Sequence, residues 1–249
     1  MDYLKRFLNH SGYTEYLESG NMIKPNVSYC EDASDVHYNP IDPYGGHDYV
    51  EIGGLKWATV NLGATSATDS GLYFQWGDTQ GYTASQVGSG SGQKYFGWED
   101  YKYGDGTSEP PSSAMTKYNN TDGLTILLPE DDAATAAWGG NWRIPTKEEF
   151  QTLSTSTTTA WTSDYNGSGV AGLILTPIAD SNEVLFFPAG GLCDRGGVTN
   201  VGVYGNYSSS TLKSTNVGNS TTMYFNSTRV WWTPSGARYY GNSIRPVAD

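Results

Sequence analysis

Two pairs of adjacent aromatic residues, Trp231-Trp232 and Tyr239-Tyr240, lie near the end of the chain. Neighbouring side chains of an extended strand point to opposite faces, so the two rings of a pair cannot both enter the same hydrophobic core. The stretch that carries them, "FNSTRVWWTPSGARYYGNSIRPV", contains arginine but no carboxylate. At least one ring of each pair must therefore face something other than the core beneath it.

The composition predicts a chain of short strands joined by long turns, with few helices. There are 31 glycines among 249 residues, and Thr, Ser and Tyr are common while Leu, Lys and Glu are sparse. The length allows one large β-rich domain or two small ones. A formal net charge of −12 argues against nucleic acid as a partner and against docking on anionic lipid, since both need a basic face.

Residues 1–48 differ from the rest and are interpreted as an N-terminal arm or collar for attachment or oligomerisation. They hold all three histidines and show no strong periodicity. No apolar run here is long enough for a signal peptide, and none elsewhere could span a bilayer, so no membrane insertion is expected. Two readings stay open: a protein used without export, or one whose export signal has been removed. The domain proper is expected over 49–249.

The remaining sequence predicts several strands and two helices. "YVEI" and "LKWATVNL" flank Gly53-Gly54 as a β-hairpin, and further strands are expected at "GLYFQWGDT", "GLILTP", "EVLFFPAGG", "TTMYFN" and "SIRPV". Helices are predicted near 130–138, where acidic residues begin the first turn, and near 146–154, where Thr146 and Glu149 have capping-box spacing. The stretch from Ser85 to Asn120 lacks any period and is expected to be a long functional or poorly ordered loop.

No catalytic or metal-binding constellation emerges from the residues. Cys30, His37 and His47 lack the local pairing that zinc sites use, and they are read as scattered polar residues of the arm. Cys193 beside Arg195 is the only nucleophile candidate, but a small residue in a glycine loop is the favoured interpretation. We therefore expect no enzyme activity, no cofactor and no metal. Both cysteines are expected to be thiols, although one bridge between them is left open.

Two adjacent carboxylates, Asp131-Asp132, could bind a cation, but the predicted helix start explains them without one.

The C-terminal region has the residue types of a binding surface. Between Thr199 and Ser243 more than half of the residues are Asn, Ser, Thr or Tyr, and none is Asp or Glu. Aromatic rings give large contact area at low entropy cost, and small polar residues give adaptable hydrogen bonds, as in antibody binding sites. The alternative, a β-domain core with polar loops, explains Phe225, Ile244 and Val247 but not the paired rings.

Five motifs in order resemble the Fibrobacter major paralogous domain: "LKWATVNLGA", "GLYFQWGDT", "WGGNWRIPTKEEFQTL", "FFPAGG" and "YYGNSIRPV". That domain is similar to the formylglycine-generating-enzyme branch of the C-type lectin fold, which variable proteins of diversity-generating retroelements also use. The resemblance covers about Tyr49 to Val247. It implies an α+β, C-type-lectin-like domain with two helices and small twisted antiparallel sheets. Its tryptophans Trp57, Trp76, Trp138 and Trp142 would then be buried scaffold.

The resemblance implies a ligand-binding protein with a variable-type surface over about 190–243. The segment "MIKPNVSYCEDASDVHYNP" resembles the arm of structural proteins of Bacteroides phages and prophages. The expected function is therefore receptor recognition in a phage or prophage tail diversified by a retroelement. The protein would be located in the virion, form a homotrimer and bind a bacterial surface protein or glycan.

The first alternative is an adhesin or glycan-binding lipoprotein of the same fold on the Bacteroidetes cell surface. A formylglycine-generating-type enzyme is the second alternative, and it is disfavoured because such enzymes use late active-site cysteines and only Cys193 is late.

Within this scheme Tyr224, Phe225, Ile244 and Val247 are expected to point inward. The expected ligand-binding residues cluster at one surface, with two of them at its rim: Asn206, Ser208, Arg229, Trp231, Trp232, Ala237, Tyr239, Tyr240 and Asn242, with Leu192 and Asp194 at the rim. Retroelement variation at adenines cannot turn an Asn codon into Trp, so Trp231 and Trp232 need another template codon or are fixed. Ser208 stands where the family usually has Trp.

Overall fold

The computed structural model describes residues 45–107 and 114–249, together with two short strands nearer the N-terminus. These are β1 (Arg6–Leu8) and β2 (Thr14–Tyr16), which pair antiparallel. The chain divides into two compact units, Met1–Asp42 and Pro43–Asp249. Apart from β1, β2 and residues 45–48, the predicted arm lies outside the described residues, as does Cys30. All other described helices and strands belong to the second unit.

The first sheet of this unit joins its beginning to its end. Strands β3 (Tyr49–Ile52) and β4 (Leu55–Ala58) form the predicted hairpin, with both turn glycines, Gly53 and Gly54, at positive φ. The last strand, β14 (Val247–Ala248), pairs with the other edge of β4. The strand predicted at "SIRPV" is thus confined to its end. Pro246 has no N–H to donate, so a regular ladder cannot continue through it.

Both predicted helices are confirmed. Helix α1 (Ala133–Trp138) follows a 3-10 turn at Pro129–Asp131, and the Asp132 carboxylate accepts the N–H groups of Ala134 and Thr135 as its N-cap. Helix α2 (Lys147–Ser156) begins with the predicted capping box of Thr146 and Glu149. Its buried residues, Phe150 and Leu153, lie three apart and so occupy one face of the helix.

Two further sheets and a hairpin complete the fold. The β5 (Thr157–Thr162), β6 (Gly172–Pro177) and β7 (Leu185–Pro188) strands form an antiparallel sheet in that order. The β8 (Leu192–Asp194) and β9 (Gly197–Thr199) strands form a hairpin. The last sheet has the order β10 (Tyr204–Leu212), β11 (Asn219–Asn226) and β12 (Val230–Trp231), and β13 (Ser235–Ala237) also pairs with β11.

The strand predicted at "GLYFQWGDT" is wrong, although its side chains are buried. Phe74 forms an isolated bridge with Asn242, and the Trp76 N–H donates to the carbonyl of Arg238. Between these two hydrogen bonds the chain advances two residues from Phe74 but four residues back from Asn242. This mismatch interrupts a regular ladder. The segment is extended and packs Phe74 and Trp76 into the core without forming a named strand.

The stretch predicted as a long loop is irregular but largely packed. Its described part contains short 3-10 turns, at Ala84–Gln86 and Trp98–Asp100, and an isolated bridge between Val87 and Lys94. Several of its rings are nevertheless buried: Phe96, Tyr101, Tyr103 and Tyr118. Large aromatic side chains here supply core volume that regular elements supply in other domains. The segment is therefore part of the scaffold.

The architecture is α+β, with few helices and small antiparallel sheets around two main hydrophobic clusters. Trp57, Trp76 and Trp142 are buried as predicted. Trp138 is only half-buried, and its ring stacks on His47 with 3.7 Å between centroids. Among the residues that the structure describes, no helix has the length and apolar character needed to cross a membrane.

Candidate ligand-binding face

Strands β10, β11 and β12 place one set of side chains in the core and another on the outer face. Pairing aligns Asn206 with Tyr224, and Tyr224 with Trp231, so these three share a face. The neighbouring positions on the opposite face, Tyr207 and Phe225, are fully buried. Tyr224 therefore points outward, and the prediction that it faces the core is wrong.

Three partly exposed rings form a continuous row across this outer face. The centroid distances are 5.2 Å from Tyr204 to Tyr224 and 4.9 Å from Tyr224 to Trp231. The guanidinium carbon of Arg229, an exposed residue, lies 4.9 Å from the Trp231 ring centroid, within cation–π range. We call Tyr204, Tyr224 and Trp231 the aromatic row. Burial, together with the hydrogen bond to Tyr204, raises the pKa of Tyr224 to about 12, so its phenol is neutral at physiological pH.

The turn between β11 and β12 holds the backbone at Arg229. The side-chain oxygen of Asn226 accepts the N–H groups of Thr228 and Arg229, at 2.9 and 3.1 Å. It also accepts the Thr228 hydroxyl at 2.9 Å. An Asn side chain that bonds the backbone ahead of it holds a turn in one shape. The end of the row is therefore held in place from within its own turn.

Trp231 and Trp232 diverge as the adjacent-ring argument requires. Trp231 lies in the aromatic row, whereas Trp232 packs against the core cluster that contains Phe225 and Met223. Trp232 also lines a groove with Trp161 of β5. One ring of this pair is thus shared between core and groove, and the other lies on the outer face.

Tyr239 and Tyr240 belong to a second group of rings. Their centroids are 4.6 Å apart, and Trp98 lies 5.0 Å from Tyr239 in an edge-on arrangement. The guanidinium carbon of Arg195 lies 5.6 Å from the centroid of the Tyr239 ring. Tyr239 also packs against the second core cluster. Of this pair, Tyr239 is partly scaffold, and both tyrosines are half-buried.

The β8 strand brings the two predicted rim residues beside this second group. Cys193 and Gly241 exchange both backbone hydrogen bonds, at 2.7 and 3.0 Å. Leu192 and Asp194 flank Cys193 and are half-buried, so they lie on the opposite face of the strand from its buried thiol. Burial raises the pKa of the Cys193 thiol to about 12, which keeps it protonated at neutral pH. The thiol is free and is not activated as a nucleophile.

Three of the predicted surface residues are buried, so the expectation that they are exposed is wrong. Asn206, Ser208 and Asn242 have relative exposures of 8%, 2% and 4%. The Asn242 side chain donates to the Ser208 hydroxyl at 3.4 Å, and the Asn206 side chain donates to the carbonyl of Gly191 at 3.5 Å. Their side chains join β10 to neighbouring segments. Ala237, on β13, is half-buried.

Arg238 and Arg245 are fully buried, which no local pattern of the sequence indicates. Arg238 donates to the Tyr101 hydroxyl at 2.6 Å and lies 4.7 Å from the Trp76 ring centroid. It also donates to the carbonyls of Tyr118 and Val217. Arg238 therefore adds no charge to the surface of the C-terminal region. Its only sequence signal is the abundance of tyrosine in the irregular segment.

The adjacent carboxylates of the α1 start have protein partners. Asp131 accepts hydrogen bonds from Lys117, Lys102, Tyr103 and Tyr118. Burial favours its neutral form, but these bonds outweigh that effect and lower the pKa of Asp131 far below its usual range. Within the described residues no group of three or more His, Cys, Asp or Glu side chains could hold a metal ion.

Comparison with protein-family models, with curated proteins and with solved structures finds no match to this chain.

Proposed function

We propose that this chain is a receptor-recognition protein that binds its ligand through the aromatic row and Arg229. The observation that carries the proposal is the row itself. Three large rings lie side by side on the outer face of a sheet, partly exposed, when the other face already supplies the core. A scaffold does not need a second layer of rings facing solvent, whereas a binding surface does.

The chemistry of the row suits recognition of another macromolecule's surface. Tyr and Trp combine a wide apolar contact with a polar atom and lose little entropy on binding. Arg229 adds a cation that lies over the Trp231 ring, and the Asn226 turn holds its backbone. No Asp or Glu lies between Thr199 and Ser243, although the whole chain has a net charge of −12. The surface would therefore not repel the anionic groups that are common on cell envelopes.

The motif resemblance extends the proposal to a C-type-lectin-like fold and to a biological setting. In that setting the protein is a tail component of a phage or prophage, located in the virion, that binds a bacterial surface protein or glycan without enzyme activity. The alternative is a cell-surface adhesin or glycan-binding lipoprotein of the same fold. A reverse-transcriptase gene and a near-copy of the 3′ coding end beside the gene would select the first. A lipoprotein signal upstream of Met1 would select the second.

Cell binding tests the site. Fluorescently labelled full-length protein is titrated on a panel of Bacteroides strains, and every strain that binds is tested again with Tyr224→Ala and Trp231→Ala. Truncating a ring at the centre of an interface costs about 2 kcal/mol or more, which is about thirtyfold in affinity. The matched control is Tyr49→Ala on β3, which removes a ring that is 40% exposed and belongs to a different sheet. Equal binding by all three variants would contradict the proposal.

A further inference from the structure

We propose that a groove between two sheets is a separate binding site for a saccharide that carries a carboxylate. The groove opens between the β5–β6 edge and the β11–β12 turn and has a volume of about 360 Å³. That volume lies in the range of ligand pockets, about 300–1,000 Å³. The residues that line it include Thr159, Trp161, Ser227, Thr228, Arg229 and Trp232.

Two half-buried tryptophans give the groove its apolar surface. Trp161 lies on β5 and packs edge-on against Phe225, with 6.3 Å between centroids. Trp232 comes from the chain just after β12 and packs against the same core cluster. Both rings are anchored by the core and still line the groove. The electron-rich face of an indole suits the C–H groups on one face of a pyranose ring, which also gain by leaving water.

Hydroxyl groups line the rest of the groove. Thr159 projects from β5, and Ser227 and Thr228 come from the turn that Asn226 holds. The Thr159 and Ser227 hydroxyls can both donate and accept, whereas the Thr228 hydroxyl can accept, because it donates to Asn226. This set matches the mixed donors and acceptors of sugar hydroxyls. Because the turn is fixed by its own hydrogen bonds, little entropy would be lost when it binds. Flat apolar ligands would leave these polar groups without partners, so a saccharide fits better.

Charge narrows the class of saccharide. Arg229 is the one charged residue among those that line the groove, and none of them is Asp or Glu. A guanidinium pairs with a carboxylate through two parallel hydrogen bonds. The same absence of lining carboxylates argues against a sugar held through Ca²⁺, which takes several carboxylate oxygens. A uronic or sialic acid residue therefore fits the groove better than a neutral sugar.

The groove is independent of the aromatic row except for Arg229. Trp232 and Trp231 face different sides of the chain, and Trp161 belongs to another sheet. A row variant that leaves Trp231 and Arg229 in place, such as Tyr224→Ala, can therefore fail in cell binding while the groove still works, and Trp161→Ala can do the reverse.

Binding of small methyl glycosides by the full-length protein tests the inference. The probes are the methyl glycosides of glucuronic acid, galacturonic acid and N-acetylneuraminic acid, with methyl glucoside and methyl galactoside as neutral counterparts. Isothermal titration calorimetry is expected to show saturable binding of at least one acidic glycoside. Where a neutral counterpart exists, it should bind about tenfold more weakly or worse. Added salt should weaken binding of the acidic glycoside, because part of the binding free energy is electrostatic.

Matched variants locate the site. Thr159→Glu places a carboxylate in the groove and should abolish binding of the acidic glycoside. Thr158→Glu adds the same charge one residue away, on the other face of β5. It should leave the affinity for the acidic glycoside within about twofold of the wild-type value. Trp161→Ala should weaken binding about tenfold or more. If that variant does not fold, the two threonine variants still decide the question.

Three results would overturn the inference. One is that no acidic glycoside binds, and a second is that neutral and acidic glycosides bind equally. The third is that Thr159→Glu and Thr158→Glu behave alike. Tyr224→Ala, which leaves Trp231 and Arg229 in place, should keep glycoside binding even where it loses cell binding, so failure of the groove and failure of the aromatic row are told apart.

Discussion

At the scale of single residues, the adjacent tryptophans separate scaffold from surface. Trp232 packs against the core cluster that contains Phe225, while the Trp231 ring lies in the aromatic row beside Tyr224. Removing a core side chain costs its transfer free energy and leaves a cavity, whereas a partly exposed ring loses fewer contacts. Both residues are tryptophans at adjacent positions. A difference in stability between their alanine variants therefore reports which side of the strand each ring faces.

We expect Trp232→Ala to lower the free energy of unfolding by about 3 kcal/mol and Trp231→Ala by about 1 kcal/mol. Urea denaturation followed by far-UV circular dichroism measures both values under one set of conditions. A loss for Trp231→Ala that equals or exceeds the loss for Trp232→Ala would show that Trp231 is scaffold. The proposed binding face would then lose its central ring.

Arg245 carries a second residue-scale prediction. It is fully buried and donates to the Asn61 side chain and to the carbonyls of Ala58 and Phe186, at 2.8–2.9 Å. A lysine has one nitrogen on a flexible stem and cannot reproduce this fork. Arg245→Lys should therefore destabilise the domain by about 2 kcal/mol or more, because buried acceptors lose their donors. Thermal denaturation checks this, with the exposed Arg229→Lys as a control expected within about 0.5 kcal/mol.

At the scale of elements, Asp131 ties the irregular segment to the start of α1. Its carboxylate accepts hydrogen bonds from four side chains of that segment: Lys102, Tyr103, Lys117 and Tyr118. Because its pKa is lowered in the folded state, its contribution to stability is present above the unfolded value of about 3.9 and is lost as pH falls below it. Protonation at acid pH thus weakens the attachment of a whole segment.

The stability difference between wild type and Asp131→Asn should therefore be largest at neutral pH and shrink as the pH falls below about 4. Urea denaturation at a series of pH values measures it. Glu130→Gln is the control, since that side chain is 63% exposed and should show little difference at any pH. A difference for Asp131→Asn that does not vary with pH would mean that the pKa of Asp131 is the same in the folded and unfolded states, so that its ionised form gains nothing from these contacts.

The close packing of β10 on β11 gives another element-scale prediction. A Cβ at Gly205 would lie 2.1 Å from the Phe225 ring, whereas a Cβ at Gly236 would meet only the Thr222 side chain at 3.3 Å. Gly205→Ala should cost about 1–3 kcal/mol through overpacking, and Gly236→Ala much less. Denaturation curves of the two variants test this. Similar losses would mean that the sheet can shift to make room.

Local signals predicted the elements that local physics determines. The Gly53-Gly54 turn and the Thr146–Glu149 capping box each act within a few residues, so their patterns are visible in the sequence. Strand β10 could not be found in this way. Its sequence, "YGNYSSSTL", reads as a polar loop, yet eight of its nine positions are buried because neighbours from distant parts of the chain cover it.

The candidate site was predicted only in outline, because its local signals were visible in the sequence and its long-range contacts were not. Adjacent rings must diverge, and that rule alone indicated a surface ring in each pair. Whether Tyr224 or Phe225 faces the core depends on the pairing of β11 with β10 and β12, which composition does not contain. The burial of Asn206, Ser208 and Arg238 likewise results from partners far away in sequence. Such long-range contacts leave no local pattern.

At the scale of the whole molecule, the second compact unit contains its own core. Among the residues that the structure describes, both main clusters are built from side chains between Val50 and Val247, within the unit Pro43–Asp249. A compact unit with a hydrophobic core of its own can in principle fold alone. The predicted homotrimer and the predicted ligand-binding domain are thus separable, and deletion can assign each property to its part of the chain.

We expect the full chain to be a trimer in solution, with a mass three times its 27.0 kDa, and residues 43–249 alone to be a folded monomer. Light scattering coupled to size-exclusion chromatography measures the mass, and thermal denaturation should show that the shorter protein unfolds cooperatively.

Three copies of one face on a common axis convert weak single contacts into tight attachment, because the second and third bind at high effective concentration. The truncated protein should therefore bind cells much more weakly than the full chain, while its affinity for an isolated ligand stays the same. A monomeric full chain would remove the avidity argument, and a trimeric 43–249 would move the subunit contact into the ligand-binding unit.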